Sequence, residues 1–247
     1  MSGLPVTSRI FFLRNKAMTE QSFQGIELLP DAGPAKQLFV LLHGLGASSS
    51  DLVPLARDFR KVFPGAVFLL PDGFQPFDRN PSGNGDHRRQ WFSVSGMSDE
   101  TRPARVAASM PALHDLVRQA QDRHRILQSD TALVGFSQGA IMALEFSIVH
   151  DGGVGRVLAF SGRFATLPDK APEFTTLHLL HGEDDHVIPV AHAYEAYARL
   201  TELQGDATLD VASSVGHEIH PGLAERAVNR LQTCIPLRSW QRALKDA

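Results

Sequence analysis

The sequence predicts an α/β fold in which a mostly parallel sheet is flanked by helices on both faces. Strand-like and helix-like segments alternate from residue 22 to residue 233, and several of the strand-like segments are almost continuously apolar. Such alternation indicates a parallel sheet covered by helices, and uninterrupted apolar runs are typical of strands buried on both faces. A chain of 247 residues with 43% hydrophobic side chains is long enough to bury such a core.

The predicted elements follow one another along the chain in a regular order. Seven short apolar segments are predicted to be strands: residues 22–28, 37–42, 66–70, 131–136, 156–160, 175–180 and 207–212. The helical segments have apolar side chains at helical spacing or open with a proline suited to a first turn: residues 51–63, 104–127, the segment after residue 137, 189–203 and 221–232. Pro111 is expected to kink or restart the second of these helices.

The segment 71–103 is the exception, because it has no clear periodicity and contains several prolines and glycines. A long irregular segment in a compact domain is usually functional or disordered, and this one follows the carboxyl end of a strand, where ligands bind in parallel sheets. We expect it to form part of a substrate-binding wall.

Residues 22–247 are predicted to form a single domain without a separate cap, after a disordered N-terminal extension at 1–21 with Met18 as an alternative start.

Composition and charge exclude several classes of protein. The formal net charge is −3 and no basic run exceeds Arg88-Arg89, which argues against nucleic-acid binding. No apolar stretch approaches the ~18 residues that span a bilayer, and the apolar run 10–13 is too short for a signal-peptide core. The single cysteine, Cys234, fits a reducing compartment. We therefore expect a cytoplasmic protein with no nucleic-acid partner and no integral membrane segment, and leave its oligomeric state open, a homodimer included.

The most informative segment is Gly135-Phe136-Ser137-Gln138-Gly139. The apolar strand 131–136 runs into it and an apolar helical run follows, which is the strand–turn–helix context of a nucleophile elbow. The pentapeptide alone is weak evidence, since chance places it in about one chain in ten of this size. In this context Ser137 is expected at the tip of a strained turn, beside the positive end of a helix dipole.

Three other segments can meet Ser137 at the same edge of the sheet. The glycine-rich turn 43–46, the acidic turn 181–189 and the pair Gly216-His217 each follow a predicted strand. A serine nucleophile needs a base, an acid that orients the base, and donors for the oxyanion. In a sheet of this kind the partners follow in the order serine, acid, histidine, which is the order found here.

Taken in order, four motifs resemble those of the phospholipase/carboxylesterase branch of the α/β-hydrolases, to which the acyl-protein thioesterases also belong. They are His43-Gly44-Leu45-Gly46, Gly135-Phe136-Ser137-Gln138-Gly139, His181-Gly182-x-x-Asp185-x-x-x-Pro189 and Gly216-His217. The resemblance covers roughly residues 22–233 and implies the α/β-hydrolase fold. It also implies roles for seven residues: Ser137 as nucleophile, Asp185 as acid, His217 as base, the backbone N–H groups of Leu45 and Gln138 as the oxyanion hole, and Trp91 and Phe92 as a substrate-binding aromatic pair.

The chain departs from the family pattern at two positions, and adjacent residues leave two roles open. Many members have an acidic residue in place of Ala47 and a proline in place of His186, and both departures leave substrate preference open. Asp184 is an alternative acid if the turn is shifted by one residue. His220 is an alternative base.

The remaining reactive side chains have plainer interpretations. His181 and His186 stand at either end of a turn that faintly resembles a metal loop, but its ligand spacing fits no standard site. His43 is expected to be structural, holding the oxyanion loop. Arg88-Arg89 is expected to be solvated, the alternative being recognition of an anionic head group.

These observations predict a serine hydrolase that cleaves small-molecule carboxylic esters or thioesters through an acyl-enzyme, with no metal and no organic cofactor. The alternatives are a non-catalytic ligand-binding protein of the same fold, a dienelactone-hydrolase-like enzyme and a peptidase. The second of these would use a cysteine nucleophile, and Cys234 lies outside any elbow. A non-catalytic protein of this fold need not keep all three reacting groups, whereas this chain has a candidate for each in the expected order. The apolar segment 71–103 favours short to medium acyl chains.

Overall fold

A computed structural model describes residues 24–78, 87–236 and 239 of the chain. The strands of these residues are β1 (Gly25–Leu28), β2 (Gln37–Leu42), β3 (Ala66–Pro71), β4 (Gln75–Pro76), β5 (Arg89–Gln90), β6 (Thr131–Phe136), β7 (Arg156–Phe160), β8 (Thr176–Gly182) and β9 (Ala207–Ala212). Seven of them form one sheet in the order β1-β3-β2-β6-β7-β8-β9. Every pair in this sheet is parallel except β1 and β3.

Five α-helices connect the strands in the described residues. They are α1 (Val53–Val62), α2 (Arg102–His124), α3 (Gln138–Val149), α4 (Ala191–Glu202) and α5 (Pro221–Thr233). None of the helices in the described part of the chain combines the length and the apolar character that crossing a membrane requires. The architecture is the α/β-hydrolase fold, with a mostly parallel sheet between two layers of helices.

The core consists of two apolar layers, one on each face of the sheet. Along β2, Leu38, Val40 and Leu42 belong to the layer that contains α2, α3 and α4, whereas Phe39 and Leu41 belong to the layer that contains α1 and α5. Successive side chains of a strand point to opposite faces, so a strand covered on both sides has apolar side chains on both faces. The continuous apolar run at 37–42 therefore reflects its place in the middle of the sheet.

The predicted strands and helices agree with the structure to within about three residues at each end, apart from residues 22 and 23 of the first strand, which lie outside the described residues. Of the two effects expected of Pro111, a kink or a restart, the restart is wrong, because α2 passes through this proline without a break. Met110 and Leu113 are buried on either side of it, and this packing outweighs the one backbone hydrogen bond that proline removes. The N-terminal extension at 1–21 lies outside the described residues, and the single domain remains a prediction.

The segment 71–103 carries more structure than its sequence pattern indicates. β4 and β5 form a short antiparallel ribbon, and α2 begins before the segment ends. The backbone of Arg89 also pairs with Ala47, so the segment is attached to the glycine-rich turn after β2. Two-residue strands are too short to show a periodic pattern, which is why the sequence did not indicate them.

Candidate active site

Ser137 lies at the turn between β6 and α3, where the backbone is strained. Its φ is +55° and its ψ is −115°, a conformation that residues other than glycine rarely adopt. Its N–H donates to the carbonyl of Phe160 at the end of β7, at 2.9 Å, which ties the turn to the neighbouring strand. The strained turn predicted at this position is therefore present, and it presents the serine hydroxyl at the carboxyl edge of the sheet.

The two glycines of the pentapeptide make this turn possible because no side chain fits at either position. A Cβ on Gly139 would lie 2.1 Å from the carbonyl oxygen of Leu42, and one on Gly135 would lie 2.3 Å from the carbonyl oxygen of Gly139. Both contacts are with backbone, which cannot move aside as a flexible side chain would. Helix α3 consequently packs directly on β2 and β6, with Ser137 at its N-terminal end.

His217 connects Ser137 to Asp185. The Nε2 atom of His217 is 2.9 Å from Ser137 Oγ, and its Nδ1 atom is 2.7 Å from Asp185 Oδ2. The side chain of Asp185 has no exposed surface, whereas that of His217 is 17% exposed. The three side chains come from the elbow, the loop after β8 and the loop after β9, and they form a continuous chain of hydrogen bonds.

The carboxylate of Asp185 is held in its ionised form. Burial by itself raises its pKa, but the hydrogen bond from His217, those from the backbone N–H groups of Ile188 and Val187, and the charge of His217 together bring the pKa below its ordinary value. An ionised carboxylate can only accept hydrogen bonds. The Nδ1 atom of His217 therefore donates to it, and Nε2 is left to accept a hydrogen bond from the Ser137 hydroxyl.

The alternative acid and the alternative base lie elsewhere. Asp184 is exposed to solvent, in contrast to the buried Asp185 beside it. His220 precedes the first residue of α5, and its Nδ1 atom accepts a hydrogen bond from the N–H of Gly222 at 3.1 Å. The structure brings Asp185 and His217 to Ser137, and leaves Asp184 and His220 outside this chain of hydrogen bonds.

His181 is buried beside the acid and takes part in holding it. Its Nε2 atom donates to the carbonyl of Ile188 at 2.7 Å and lies 3.3 Å from Asp185 Oδ2. Burial lowers the pKa of His181, against the opposing effects of Ile188 and Asp185, so the ring is neutral near pH 7. His186 is exposed. Among the described residues, no group of three or more His, Cys, Asp or Glu side chains could hold a metal ion.

Two backbone N–H groups near Ser137 have no hydrogen-bond acceptor among the described residues. Gln138 is the first residue of α3, so its N–H belongs to the first helical turn, which has no intrahelical acceptor. In the turn after β2, the N–H groups of Gly46 and Ala47 donate to Arg89 and Gly44, respectively, whereas that of Leu45 has no such bond to another described residue. Leu45 and Gln138 line the same pocket as Ser137.

His43 holds the turn that carries Leu45. Its Nδ1 atom donates to the carbonyl of Gly44 at 2.7 Å, and its Nε2 atom accepts from the N–H of Gly73 at 2.9 Å. Burial lowers the pKa of His43, against a smaller opposing effect of the Gly44 carbonyl, and only the neutral ring can donate at one nitrogen while accepting at the other. The structural role expected for His43 agrees with these contacts.

The predicted aromatic pair divides between two environments. Phe92 lines the pocket at Ser137. Trp91 is completely buried and is not among the described lining residues; its Nε1–H donates to the carbonyl of His43 at 2.8 Å. The side chain of Gln138 joins the pair to α3, since its Oε1 accepts from the N–H of Trp91 and its Nε2 donates to the carbonyl of Phe92, each at 2.8 Å.

Ser137 opens into a pocket of about 260 Å³. Its wall is mostly apolar and includes Val94, Met97, Ile141, Val187, Ile188 and Pro189. This volume is slightly below the ~300–1,000 Å³ typical of small-molecule sites. A larger groove of about 570 Å³ lies between α1 and α5, but none of the predicted site residues lines it.

Sequence reasoning did not find several residues that support this site. Arg89 was expected to be solvated, yet its backbone pairs with Ala47 and its Nε–H donates to the carbonyl of Gly73 at 2.9 Å. The side chain of Gln138 was not singled out at all. Neither residue has a local signal, because each acts through backbone groups that are distant in the sequence.

Comparisons with known proteins agree with the fold and the motifs. A sequence model of the phospholipase/carboxylesterase family matches residues 25–235. Esterase YpfH of Escherichia coli (strain K12) is 41% identical over 211 residues, which are 85% of this chain and 88% of that protein. Acyl-protein thioesterase 1 of Saccharomyces cerevisiae is 26% identical over 186 residues, or 70% of this chain and 80% of that one. The crystal structure of esterase PE8 superposes with a TM-score of 0.78 at 29% identity, over 86% of this chain and 99% of that chain.

The fold and the placement of a serine at a nucleophile elbow define the class of protein as an α/β-hydrolase. The family model covers most of the chain, and the bacterial esterase is similar over most of both lengths. The chain therefore belongs to the phospholipase/carboxylesterase family, and it is a carboxylic ester hydrolase of the esterase/thioesterase type.

Proposed function

We propose that the protein hydrolyses carboxylic esters or thioesters with Ser137 as nucleophile, His217 as general base and Asp185 as the acid that orients the base. The observation that carries this proposal is the chain of two hydrogen bonds, 2.9 Å and 2.7 Å long, that joins the three side chains at a strained elbow. A serine hydroxyl is a weak nucleophile near neutral pH and needs a base in this position.

In the first half of the reaction, His217 Nε2 takes the hydroxyl proton while Ser137 Oγ attacks the acyl carbon. The carbonyl oxygen becomes an oxyanion, which the N–H groups of Leu45 and Gln138 stabilise. When the tetrahedral intermediate collapses, the bond to the leaving group breaks, and that group receives the proton from His217. The product of this half-reaction is an acyl-enzyme on Ser137 and a free alcohol or thiol.

In the second half, water takes the place of the leaving group. His217 removes a proton from the water as its oxygen attacks the acyl carbon, and the same two N–H groups meet the second oxyanion. Collapse releases the carboxylic acid and returns the proton from His217 to Ser137 Oγ. Asp185 stays ionised throughout and stabilises the imidazolium that forms in each half.

Ser137→Ala tests the proposal, with Ser161→Ala as a matched control. Ser161 follows β7, is fully buried and has a φ of +48°, so both substitutions place alanine in a left-handed conformation. We expect Ser137→Ala to lower the kcat/KM for p-nitrophenyl butanoate by about 10⁴-fold or more, and Ser161→Ala to retain activity. A fluorophosphonate probe should label the native protein and Ser161→Ala but not Ser137→Ala. Full turnover by purified Ser137→Ala would overturn the proposal.

A further inference from the structure

Two arginine side chains stand in the wall of the pocket that contains Ser137. Arg102 is the first residue of α2, and Arg163 lies in the loop after β7. Their side chains are only 15% and 22% exposed. The described part of the lining includes no carboxylate. The other described lining residues are mostly apolar, so the pocket combines two guanidinium groups with an apolar surface.

The carboxylates that approach these arginines stand outside the pocket. Arg102 and Arg163 both contact the Oδ1 atom of Asp99, Arg163 at 3.5 Å, and the side chain of Asp99 is 74% exposed. Glu195 faces Arg163 from α4 and is 58% exposed. Exposed partners are screened by solvent and contribute little. Burial, and to a smaller extent the charge of Arg102, lower the pKa of Arg163 in spite of both carboxylates.

The loop that carries Arg163 is fixed relative to Ser137. Ser161 has a left-handed backbone and its N–H donates to the carbonyl of Leu180 at 2.9 Å. Gly162 packs against α3 so closely that a Cβ there would lie 2.4 Å from the Cβ of Ala140. Because α3 begins directly after Ser137, the same helix positions the nucleophile and the loop with the guanidinium group. A ligand group bound by Arg163 would thus be held at a set distance from the reacting atom.

We propose that Arg102 and Arg163 bind an anionic group, a carboxylate or a phosphate, of the ester or thioester that Ser137 attacks. The planar guanidinium group matches the oxygens of either anion. The apolar residues that line the same pocket suit a short hydrocarbon link. The substrate class is therefore a short-chain ester or thioester with a negatively charged end. This inference rests on the proposed function and specifies the substrate of that same site.

Two matched pairs of esters test the inference and show which side of the ester carries the charge. In the acyl pair, p-nitrophenyl pentanoate is compared with the p-nitrophenyl monoester of glutaric acid, in which a carboxylate replaces the terminal methyl group. In the leaving-group pair, 4-acetoxybenzoate is compared with its neutral methyl ester. Spontaneous hydrolysis is measured in buffer without protein and is subtracted from every rate, including that of Ser137→Ala. We expect the anionic member of one pair to have a kcat/KM about tenfold or more above its neutral partner.

Substitutions then assign the preference to the arginines. In the pair that shows it, Arg163→Gln and, separately, Arg102→Gln should lower the anionic-to-neutral ratio of kcat/KM by about tenfold. Arg163→Lys should retain part of the ratio, because the positive charge remains while the planar pair of N–H donors of the guanidinium group is lost. Arg118→Gln is the matched control, since it removes the same charge from an arginine of α2 that pairs with Asp122 and does not line the pocket. Asp99→Asn should raise the ratio by about threefold.

The possible results separate this inference from the proposed function. A ratio near one in both pairs for the native protein would overturn the inference, and so would a ratio that Arg163→Gln and Arg102→Gln both leave intact while thermal unfolding shows folded variants. Turnover by Ser137→Ala above the spontaneous rate would instead overturn the proposed function. A preference in either pair that depends on the arginines supports the inference.

Discussion

At the scale of single residues, the adjacent Asp184 and Asp185 differ in burial and in the groups that they contact. Asp185 accepts hydrogen bonds from His217 and from the N–H groups of Val187 and Ile188, and its side chain is fully buried. Asp184 is exposed, and its N–H donates to the carbonyl of Val215. This backbone bond joins the turn after β8 to the segment that leads to His217. Asp184 thus places the loop through its backbone, whereas Asp185 acts through its side chain.

The first prediction follows from this difference. Asp185→Asn should lower kcat/KM for p-nitrophenyl butanoate by about 10³- to 10⁴-fold, because an amide in this position no longer secures the tautomer of His217 that accepts the serine proton. Asp184→Asn is the matched control and should leave kcat/KM within about twofold, as expected of an exposed side chain. Kinetics of the two purified variants would check this. The reverse order of effects would assign the acid to Asp184.

Close packing of strand and helix governs the site at the scale of elements. The elbow joins β6 to α3, and Gly139 brings the first turn of α3 against the end of β2. The turn that carries Leu45 begins directly after β2. The nucleophile and both candidate oxyanion donors are therefore placed by one contact between backbone segments, which leaves no room for a methyl group.

The second prediction concerns this contact. Gly139→Ala should push α3 away from β2, lower kcat/KM by about 10²-fold or more and lower the free energy of unfolding by about 3 kcal/mol. Gly65→Ala is the control, because a Cβ at that position would meet only the flexible side chain of Lys36, at 3.4 Å. Urea unfolding and ester kinetics measure the two effects. A Gly139→Ala variant with native activity would show that the elbow tolerates a displaced helix.

Buried histidines couple the stability of the whole molecule to pH. His178 lies in β8, is fully buried and has its Nδ1 atom 2.9 Å from Thr208 Oγ1, while its Nε2 atom has no hydrogen-bond partner among the described residues. Burial, together with the charges of Arg156 and Arg230, lowers the pKa of His178 to about 4. A histidine in the unfolded chain has a pKa of ~6.5. As the pH falls below this value, His178 therefore takes up a proton in the unfolded state before it does so in the folded state.

The third prediction is a loss of stability in acid. The contribution of His178 is fully present above the unfolded pKa of ~6.5 and is lost as the pH falls toward the folded pKa. The free energy of unfolding should therefore fall by about 2 kcal/mol between pH 8 and pH 5 because of His178 alone. His178→Gln should remove that part of the pH dependence, and substitution of the exposed His186 by glutamine should not. Urea unfolding across this pH range measures it, and an unchanged slope in His178→Gln would contradict it.

Local patterns in the sequence predicted most of the elements. The central strands are mostly apolar because both of their faces are covered. Helices α1, α2, α4 and α5 carry an apolar stripe because only one side of each is buried. The two glycines around Ser137 are also explained by their immediate neighbours, since a strained strand-to-helix turn excludes side chains on either side of it. The segment 71–103 was less predictable, because its short strands and buried Trp91 depend on partners outside the segment.

By itself the sequence determined the fold class, the elbow and the order of the motifs, because periodicity and glycine sterics act over a few neighbouring residues. Only the tertiary structure decided which carboxylate meets His217, that Trp91 supports the turn after β2 while Phe92 lines the pocket, and that Arg102 and Arg163 share one wall. Each of these depends on contacts between segments that are distant in the chain. Such contacts are set by the order of strands in the sheet and by close packing, which leave no periodic trace in the residues involved.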